Sequence, residues 1–361
     1  MANLLLFNLA TDADDPILGF TTLWIERLAS YYERVDVITM RAGRLALPAN
    51  VYVHSVGKER SYSEARRAVE FYRILGGLLV ARRYAACFAH MMPLFAAMGA
   101  PLLRPRGVPI VLWYTHRQSH RTLKLALKVS THVVTAAADS FPLRTPKLRV
   151  LGHGIDTDFF KPGMAASANG ATPRAYFVQV ARLMPIKHQA TLIRAVAEVC
   201  DAARDTGHEA YAVLVGDVPP GQNDGYRRQL QALAAQLNAS ERVIFAGNQT
   251  PDGVRDWLRR ASVAVNLSPA GLFDKAALES MAVGAPTIVS SSAFDPLLGD
   301  YTALLRISSP DDYNGLAARL RTLLAFNPIQ RAALSAALRA RVTATHSLDT
   351  LIPRLVAVLG E

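Results

Sequence analysis

Two cations stand five residues apart in the run YFVQVARLMPIKHQATLIRAV: Arg182 and Lys187. The run reads as an apolar strand, a loop and a helix. Both cations therefore fall at the carboxyl end of a strand, where open α/β sheets bind their ligands. A guanidinium and an ammonium together suit a pyrophosphate, one as a forked donor and the other as a point charge. If a nucleoside diphosphate leaves in the reaction, they would stabilise the charge that develops on it. Two solvated loop bases would give the same spacing.

A second group lies in NLSPAGLFDKAALESMAVGAPTIVSSS. Its strand ends near Leu267. A helix starts after Asp274, a good N-cap residue, and stops at Gly284 with Pro286 beyond. The loop 268–273 and the helix start place free N–H groups at the strand end, an arrangement that favours an anion. Glu279 follows Lys275 by four positions. That spacing is either a reversed i,i+4 ion pair worth a few tenths of a kcal/mol, about 0.3, or a carboxylate free to accept two hydrogen bonds from a sugar diol. Two histidines, His90 and His116, end strands in the first half of the chain. A strand-end histidine is as readily structural as functional, and a neutral imidazole can hydrogen-bond a hydroxyl.

The elements that carry these residues alternate along the chain. Strand-like segments are expected at 4–8, 35–39, 51–55, 85–89, 109–115, 132–136 and 148–151, with helices such as 20–30 and 121–129 between them. After Lys161-Pro162-Gly163, the stretch MAASANGATPR is rich in small residues and turn formers and reads as a linker. A second series follows at 175–180, 212–215, 242–245, 262–267, 286–290 and 303–306. Continuous apolar strands separated by helices indicate parallel sheets covered on both faces. The expected architecture is thus α/β, with two doubly wound Rossmann-like domains facing a cleft. The boundaries are 1–160, 161–344 and a C-terminal helix, 345–361, that crosses back to the first domain. In such a pair the cleft between domains is the natural site.

Composition narrows the function. The 361 residues carry 40 Lys+Arg against 29 Asp+Glu, a net charge of +11. Residues 1–161 hold 21 bases and 12 acids, a net of +9, so the excess belongs to the first domain. Between Lys58 and Lys128 there are 13 bases and three acids. A single-sign face points to an anionic partner. No helix-turn-helix, zinc-finger or aromatic RNA-binding signature accompanies it, so nucleic acid is not the expected partner. The segment from Ser61 to Tyr84 mixes Arg with Phe71, Tyr72, Ile74 and Leu75 at helical spacing, as does a helix lying on an anionic membrane or, more often, one packed against a sheet. The twenty uncharged residues 84–103 are long enough to span a bilayer. Pro93 and Gly99-Ala100-Pro101 interrupt them, and a short strand into His90 followed by a short helix is more economical. Two cysteines, Cys87 and Cys200, exclude a disulfide scaffold and a multi-cysteine zinc site. The start MANLLLFNLATDADD reads as a first strand and not as a signal peptide. Neither G-x-G-x-x-G nor G-x-x-x-x-G-K-[ST] occurs at the first loops, against a dinucleotide oxidoreductase and a P-loop ATPase.

In their order along the chain, these runs resemble the retaining glycosyltransferases of the GT-B fold, family 4 (group 1). The matches cover about 109–291. ARLMPIK resembles the family's donor-pyrophosphate segment, with Arg182 and Lys187 in those places. VLVGD, with Gly216 and Asp217, and RVIFAGNQTPDGVRDWLRRASVAVNLSP resemble the following strands, where the backbone after Gly247, at Asn248, would line the nucleobase pocket. VLGHGIDTDFFKP resembles the segment leading into the interdomain hinge. His116 of WYTH matches a histidine that faces the donor sugar.

The resemblance implies a sugar transferred from a nucleotide-diphospho-sugar, a UDP- or GDP-sugar as co-substrate, to a hydroxyl of a lipid, lipid-linked or saccharide acceptor. No further cofactor is implied. The expected catalytic residues are His116, Arg182, Lys187 and Glu279, with Glu279 on the donor ribose. The leaving pyrophosphate itself can assist the incoming hydroxyl on the same face, so no protein nucleophile is required. No Asp-x-Asp motif is evident, and no divalent metal is expected for the chemistry. Donor contacts are expected at Gly19, Gly216, Asp217, Gly247, Asn248, Gly271, Leu272, Phe273, Asp274 and Lys275.

Two departures stand out. The family's first glutamate would fall at Gly271, so the usual carboxylate for the sugar hydroxyls is missing and Asp274-Lys275 occupies the loop instead. The first-domain donor loop ATDADDPILGF carries one glycine, Gly19, in place of a pair. The basic first domain implies a peripheral protein on the cytoplasmic face of an anionic membrane. A sugar-nucleotide epimerase or hydrolase of the same fold, or a non-catalytic nucleotide-sugar or membrane-binding module, are the alternatives.

Overall fold

The computed structural model describes residues 2–15, 18–163, 174–205, 209–219 and 221–361. The stretch read as a linker, 164–173, lies outside them. The chain divides into two units: Met1–Gly154 with Leu348–Glu361, and Ile155–Ser347. The division thus falls after residues 154 and 347, where the sequence placed it after 160 and 344.

In the first unit, β1 (Asn3–Thr11), β2 (Arg34–Ala42), β3 (Val51–Ser55), β4 (Ala86–His90), β5 (Ile110–Trp113), β6 (His132–Thr135) and β7 (Leu148–Val150) form one sheet. It is parallel throughout, in the order β3-β2-β1-β4-β5-β6-β7. Helices α1 (Phe20–Ala29), α2 (Glu64–Ala81), α3 (Pro93–Leu103) and α4 (Arg121–Val129) alternate with the strands. The apolar run of β1 follows from burial on both faces. Leu5 and Phe7 enter one core layer, and Leu4 and Leu6 the other. Each such side chain contributes roughly 2 kcal/mol when taken out of water. The uncharged segment 84–103 becomes β4 and then α3, with Pro93 in the first turn of the helix and Pro101 near its end. Among the described residues, no helix is long and apolar enough to cross a membrane.

Asp36 is the charged exception in β2. It is fully buried. It accepts bonds from Arg34 Nε and Nη2 at 2.8 and 3.0 Å, from the Tyr84 hydroxyl at 2.8 Å, and lies 3.1 Å from His54 Nε2. Burial pushes its carboxyl up, but His54, Arg34 and Tyr84 outweigh that and hold it well below the ordinary carboxylate range. The charge ties β2 to β3 and to the segment entering β4.

In the second unit, β8 (Arg174–Val180), β9 (Glu209–Val215), β10 (Val243–Gly247), β11 (Ala261–Asn266) and β12 (Thr287–Val289) form a parallel sheet in the order β10-β9-β8-β11-β12. The described helices are α5 (Gln189–Asp205), α6 (Gly225–Gln236), α7 (Pro251–Arg260), α8 (Lys275–Ala282), α9 (Asp295–Leu298), α10 (Thr302–Leu305), α11 (Tyr313–Leu324) and α12 (Pro328–His346). One expected strand is overturned: 303–306 is the helix α10, and only Arg306 retains a bridge, to Val289. A three-residue apolar run carries no period, and Ala-Leu-Leu are strong helix formers.

The last helix, α13 (Leu348–Leu359), packs on the first sheet. Its Leu348, Leu351, Ile352 and Leu355 join Trp24, Ile25 and Leu28 of α1 in one core layer.

Candidate active site

In the second sheet the chain runs outward from β8 in one direction, to β9 and β10, and then in the other, to β11 and β12. The carboxyl ends of β8 and β11 therefore mark the switch point at which such sheets bind ligands. Arg182 and Lys187 follow β8. The loop 267–274 follows β11 and leads into α8.

Two buried glutamines hold the β8 loop. Gln179 Nε2 donates to the Lys187 carbonyl at 2.6 Å, and Gln189 Nε2 to the Arg182 carbonyl at 2.8 Å. The two cations then differ. The Arg182 guanidinium is exposed and makes no hydrogen bond or ion pair among the described residues. Lys187 is half-buried and already engaged: its Nζ donates to Asp274 Oδ2 at 2.6 Å and to Ser268 Oγ at 3.0 Å. Asp274 accepts further from Asn266 Nδ2 at 3.3 Å and, in a short bond, from the Ser268 hydroxyl.

The Asp274 carboxylate is thus a counter-ion and not a cap. The residue does precede α8, but its side chain makes no capping bond. The first-turn N–H groups of α8 gain nothing from it.

Burial alone would raise the Asp274 carboxyl. The Lys187 charge, with bonds from Lys187, Ser268 and Asn266, lowers it below its usual value. A lowered native pKa gives stability that is present above the unfolded value, near 3.9, and is lost as pH falls through the native one. In acid unfolding followed by circular dichroism, the expected result is that Asp274→Asn flattens the stability loss below about pH 4.

Gly271 has a backbone reason to lack a side chain. The Leu272 amide bonds the Pro269 carbonyl at 3.1 Å, and Gly271 in that turn has φ +77°. A glutamate there would be strained. The missing acid and the shape of the loop go together. Leu272 is half-buried. Phe273 is buried, stacked on Phe294 at 4.4 Å and tilted against His346 at 4.9 Å, so its ring belongs to the core. Lys275 Nζ lies 3.0 Å from Glu279 Oε1, the ordinary i,i+4 pair, and Glu279 is buried.

At the ends of β9 and β10, Gly216 N donates to the Gly247 carbonyl at 2.8 Å. Asp217 pairs with Arg227 Nη1 at 3.1 Å, and its carbonyl accepts from Leu183 N at 3.0 Å, joining this rim to the Arg182 loop. Asn248 is exposed just beyond Gly247.

In the first unit, His116 is exposed three residues past β5, edge-on to Tyr114 at 6.0 Å between centroids. Gly19 precedes α1, its amide bonded to the Asp15 carbonyl at 2.9 Å. His90 is buried among Phe20, Trp24, Phe88 and Trp113, and burial pushes its pKa down to about 3. It is neutral and structural.

Residues 174–325 match the family Glycosyl transferases group 1. The match spans the sheet and loops that carry Arg182, Lys187 and Glu279. Among curated relatives, the D-inositol 3-phosphate glycosyltransferase of Acidothermus cellulolyticus is 31 % identical over 156 residues, covering 42 % of this chain and 35 % of that protein. The enzyme of the same description from Streptomyces scabiei is 31 % identical over 150 residues, covering 40 % of this chain and 33 % of that protein. The aligned part is thus about a third of the length of these relatives.

Solved structures match over nearly the whole chain. Anabaena HepE, in complex with UDP and glucose, superposes with a TM-score of 0.77 at 17 % identity, covering 100 % of both chains. Sucrose-phosphate synthase of Thermosynechococcus elongatus gives 0.77 at 18 % identity, covering 99 % of this chain and 98 % of that one. These likenesses establish the fold: α/β, of the GT-B kind.

Asn266, Ser268, Gln179 and Gln189 were not singled out by sequence. The signal at Gln179, Asn266 and Ser268 was polarity at the end of, or just after, otherwise apolar strands, whereas Gln189 opens α5.

Proposed function

We propose that this protein is a retaining glycosyltransferase of family 4. It moves a sugar from a nucleotide-diphospho-sugar to a hydroxyl of a lipid, lipid-linked or saccharide acceptor. The observation that carries the reading is the pairing, at one switch point, of Arg182 and Lys187 with the start of α8. Preorganised cations at the leaving group act where charge develops. Arg182 supplies an uncommitted fork. Lys187 has one ammonium N–H left beyond Asp274 and Ser268, and through it the charged side chain hydrogen-bonds the diphosphate. Glu279 accepts from the ribose hydroxyls, and His116 from or to a hydroxyl of the transferred sugar. The leaving diphosphate draws the acceptor proton on the face it vacates, which retains configuration. UDP is the first nucleotide to try, since Anabaena HepE is described with UDP and glucose. A thermal-shift series with UDP, GDP and their sugars tests the donor side. A nucleoside diphosphate should raise Tm in proportion to its affinity, and none doing so would refute the reading.

The acceptor side is expected at a cytoplasmic membrane face. On α2 the exposed residues Val69, Tyr72 and Val80 lie among Arg66 and Arg73, with Arg83 just past the helix end, a basic and apolar surface suited to anionic headgroups. Co-sedimentation with anionic vesicles should occur at low salt and weaken at high salt. Failure to bind at low salt removes the membrane from the account.

A further inference from the structure

The first sheet has a switch point of its own. From β1 the chain passes to β2 and β3 on one side, then to β4, β5, β6 and β7 on the other. Met91 is the first residue after β4, beside that point. We infer that its thioether is a positioning residue for His116: it fixes the start of the loop on which the imidazole stands. Its consequence for sugar transfer rests on the proposed reading in which His116 meets the transferred sugar.

The first observation is contact. The Thr115 amide donates to Met91 Sδ at 3.4 Å, and the Thr115 hydroxyl donates to the same sulfur at 3.6 Å. A thioether is a weak acceptor, and here it takes both donors of the residue directly before His116. The second is backbone. Met91 has φ +54°, a region that residues with a side chain rarely enter and one that collects at functional sites. In that conformation its amide bonds the Trp113 carbonyl at 2.9 Å, so the turn is stitched to the end of β5. The side chain packs against both core layers of the first unit, which hold the sulfur in place. The third is how the rest of the loop is fastened. The Tyr114 hydroxyl donates to the Gln118 carbonyl at 3.0 Å. His120 Nδ1 accepts from the Leu123 amide at 3.2 Å and caps α4. The middle and far end of 115–120 are thus tied to Tyr114 and α4, and Met91 supplies the tie at the near end.

His116 is exposed, so its aim depends chiefly on the main chain that carries it. A reacting group has to be held within about 0.5 Å of its productive place. Loosening Thr115 therefore lowers turnover and leaves donor affinity, which the second unit carries, nearly unchanged. Leucine fills much the same space as methionine but offers no acceptor, so Met91→Leu removes the bonds and keeps the packing.

The test is a double-mutant cycle on the full chain, with wild type, Met91→Leu, His116→Ala and the double variant compared in sugar transfer and in amide hydrogen exchange. Met91→Leu should lower kcat roughly tenfold, for two weak hydrogen bonds lost together, with the donor KM within about twofold because the second unit is unaltered. In the His116→Ala background the same substitution should cost nothing further, since the group it positions is gone. The Thr115 amide should exchange about tenfold faster in Met91→Leu, while Leu112 of β5 keeps its wild-type rate. An equal loss of kcat in both backgrounds overturns the assignment, because Met91 would then act independently of His116. So does a wild-type exchange rate at Thr115, and so does faster exchange at Leu112 to the same degree, which would mark a general loss of packing. If wild type transfers no sugar from any donor, the transferase reading fails, and the exchange of Thr115 against Leu112 still decides whether the Met91 sulfur holds the His116 loop.

Discussion

Lys187→Ala is expected to reduce sugar transfer by about a thousandfold, the loss typical of removing one preorganised electrostatic donor. It should also destabilise the second unit. Lys187 and Asp274 are 17 % and 26 % exposed, and their 2.6 Å pair is mostly out of water. Deleting the ammonium leaves the carboxylate, among the described residues, with Ser268 and Asn266 for partners. Breaking a buried pair costs about 3–5 kcal/mol, and partial exposure reduces that here to about 2. The double variant Lys187→Ala with Asp274→Ala separates the two effects. Urea unfolding should show most of the stability regained, while transfer stays at the single-variant level. Recovery of transfer in the double variant would mean that Lys187 serves only to neutralise Asp274.

Gly216→Ala is the second large effect, and it acts through backbone. Gly216 has φ +128°, a conformation that L-residues rarely adopt. An added Cβ would run into the Ala181 carbonyl. Ala181 immediately precedes Arg182, and its own amide bonds Val215 at 2.9 Å. The clash is with main chain, so no rotamer relieves it. The expected cost is at least about 2–3 kcal/mol from strain of this kind. Donor affinity should fall with it, because the displaced loop carries Arg182. Both are read from one thermal-shift series with and without nucleotide. A variant with wild-type Tm and wild-type nucleotide affinity would show that the Ala181–Gly216 approach is not needed.

How far the sequence carried this picture depends on the range of the interaction. Most strands of the two sheets follow from apolar runs buried on both faces, as β1 shows through Leu4–Phe7, while the edge strands β3 and β7 are partly exposed. The segment 303–306 failed because its three apolar residues fit either a strand or a turn of helix. The position of Lys187 at a strand end was legible from local pattern. Its partner was not: Asp274 lies 87 residues away, and only the order of the sheet brings the loops after β8 and β11 together. Asp274 was correctly read as the residue before α8, yet its carboxylate turned to the nearer positive charge. Glu279 pairs with Lys275 at 3.0 Å, so a ribose diol would share or displace that pair. Gly271 could be seen to lack the acid. That its turn disfavours any side chain required the backbone angles.

The central claim, sugar transfer from a nucleotide-diphospho-sugar, is tested most directly by product analysis. The full chain is incubated with UDP- and GDP-sugars, with and without a set of phosphorylated and lipid acceptors, and both products are followed by mass spectrometry. The account predicts equal amounts of nucleoside diphosphate and glycosylated acceptor, with the anomeric configuration of the donor kept and both products lost in Lys187→Ala. Release of nucleoside diphosphate at the same rate without acceptor, or no release from any donor, would contradict it.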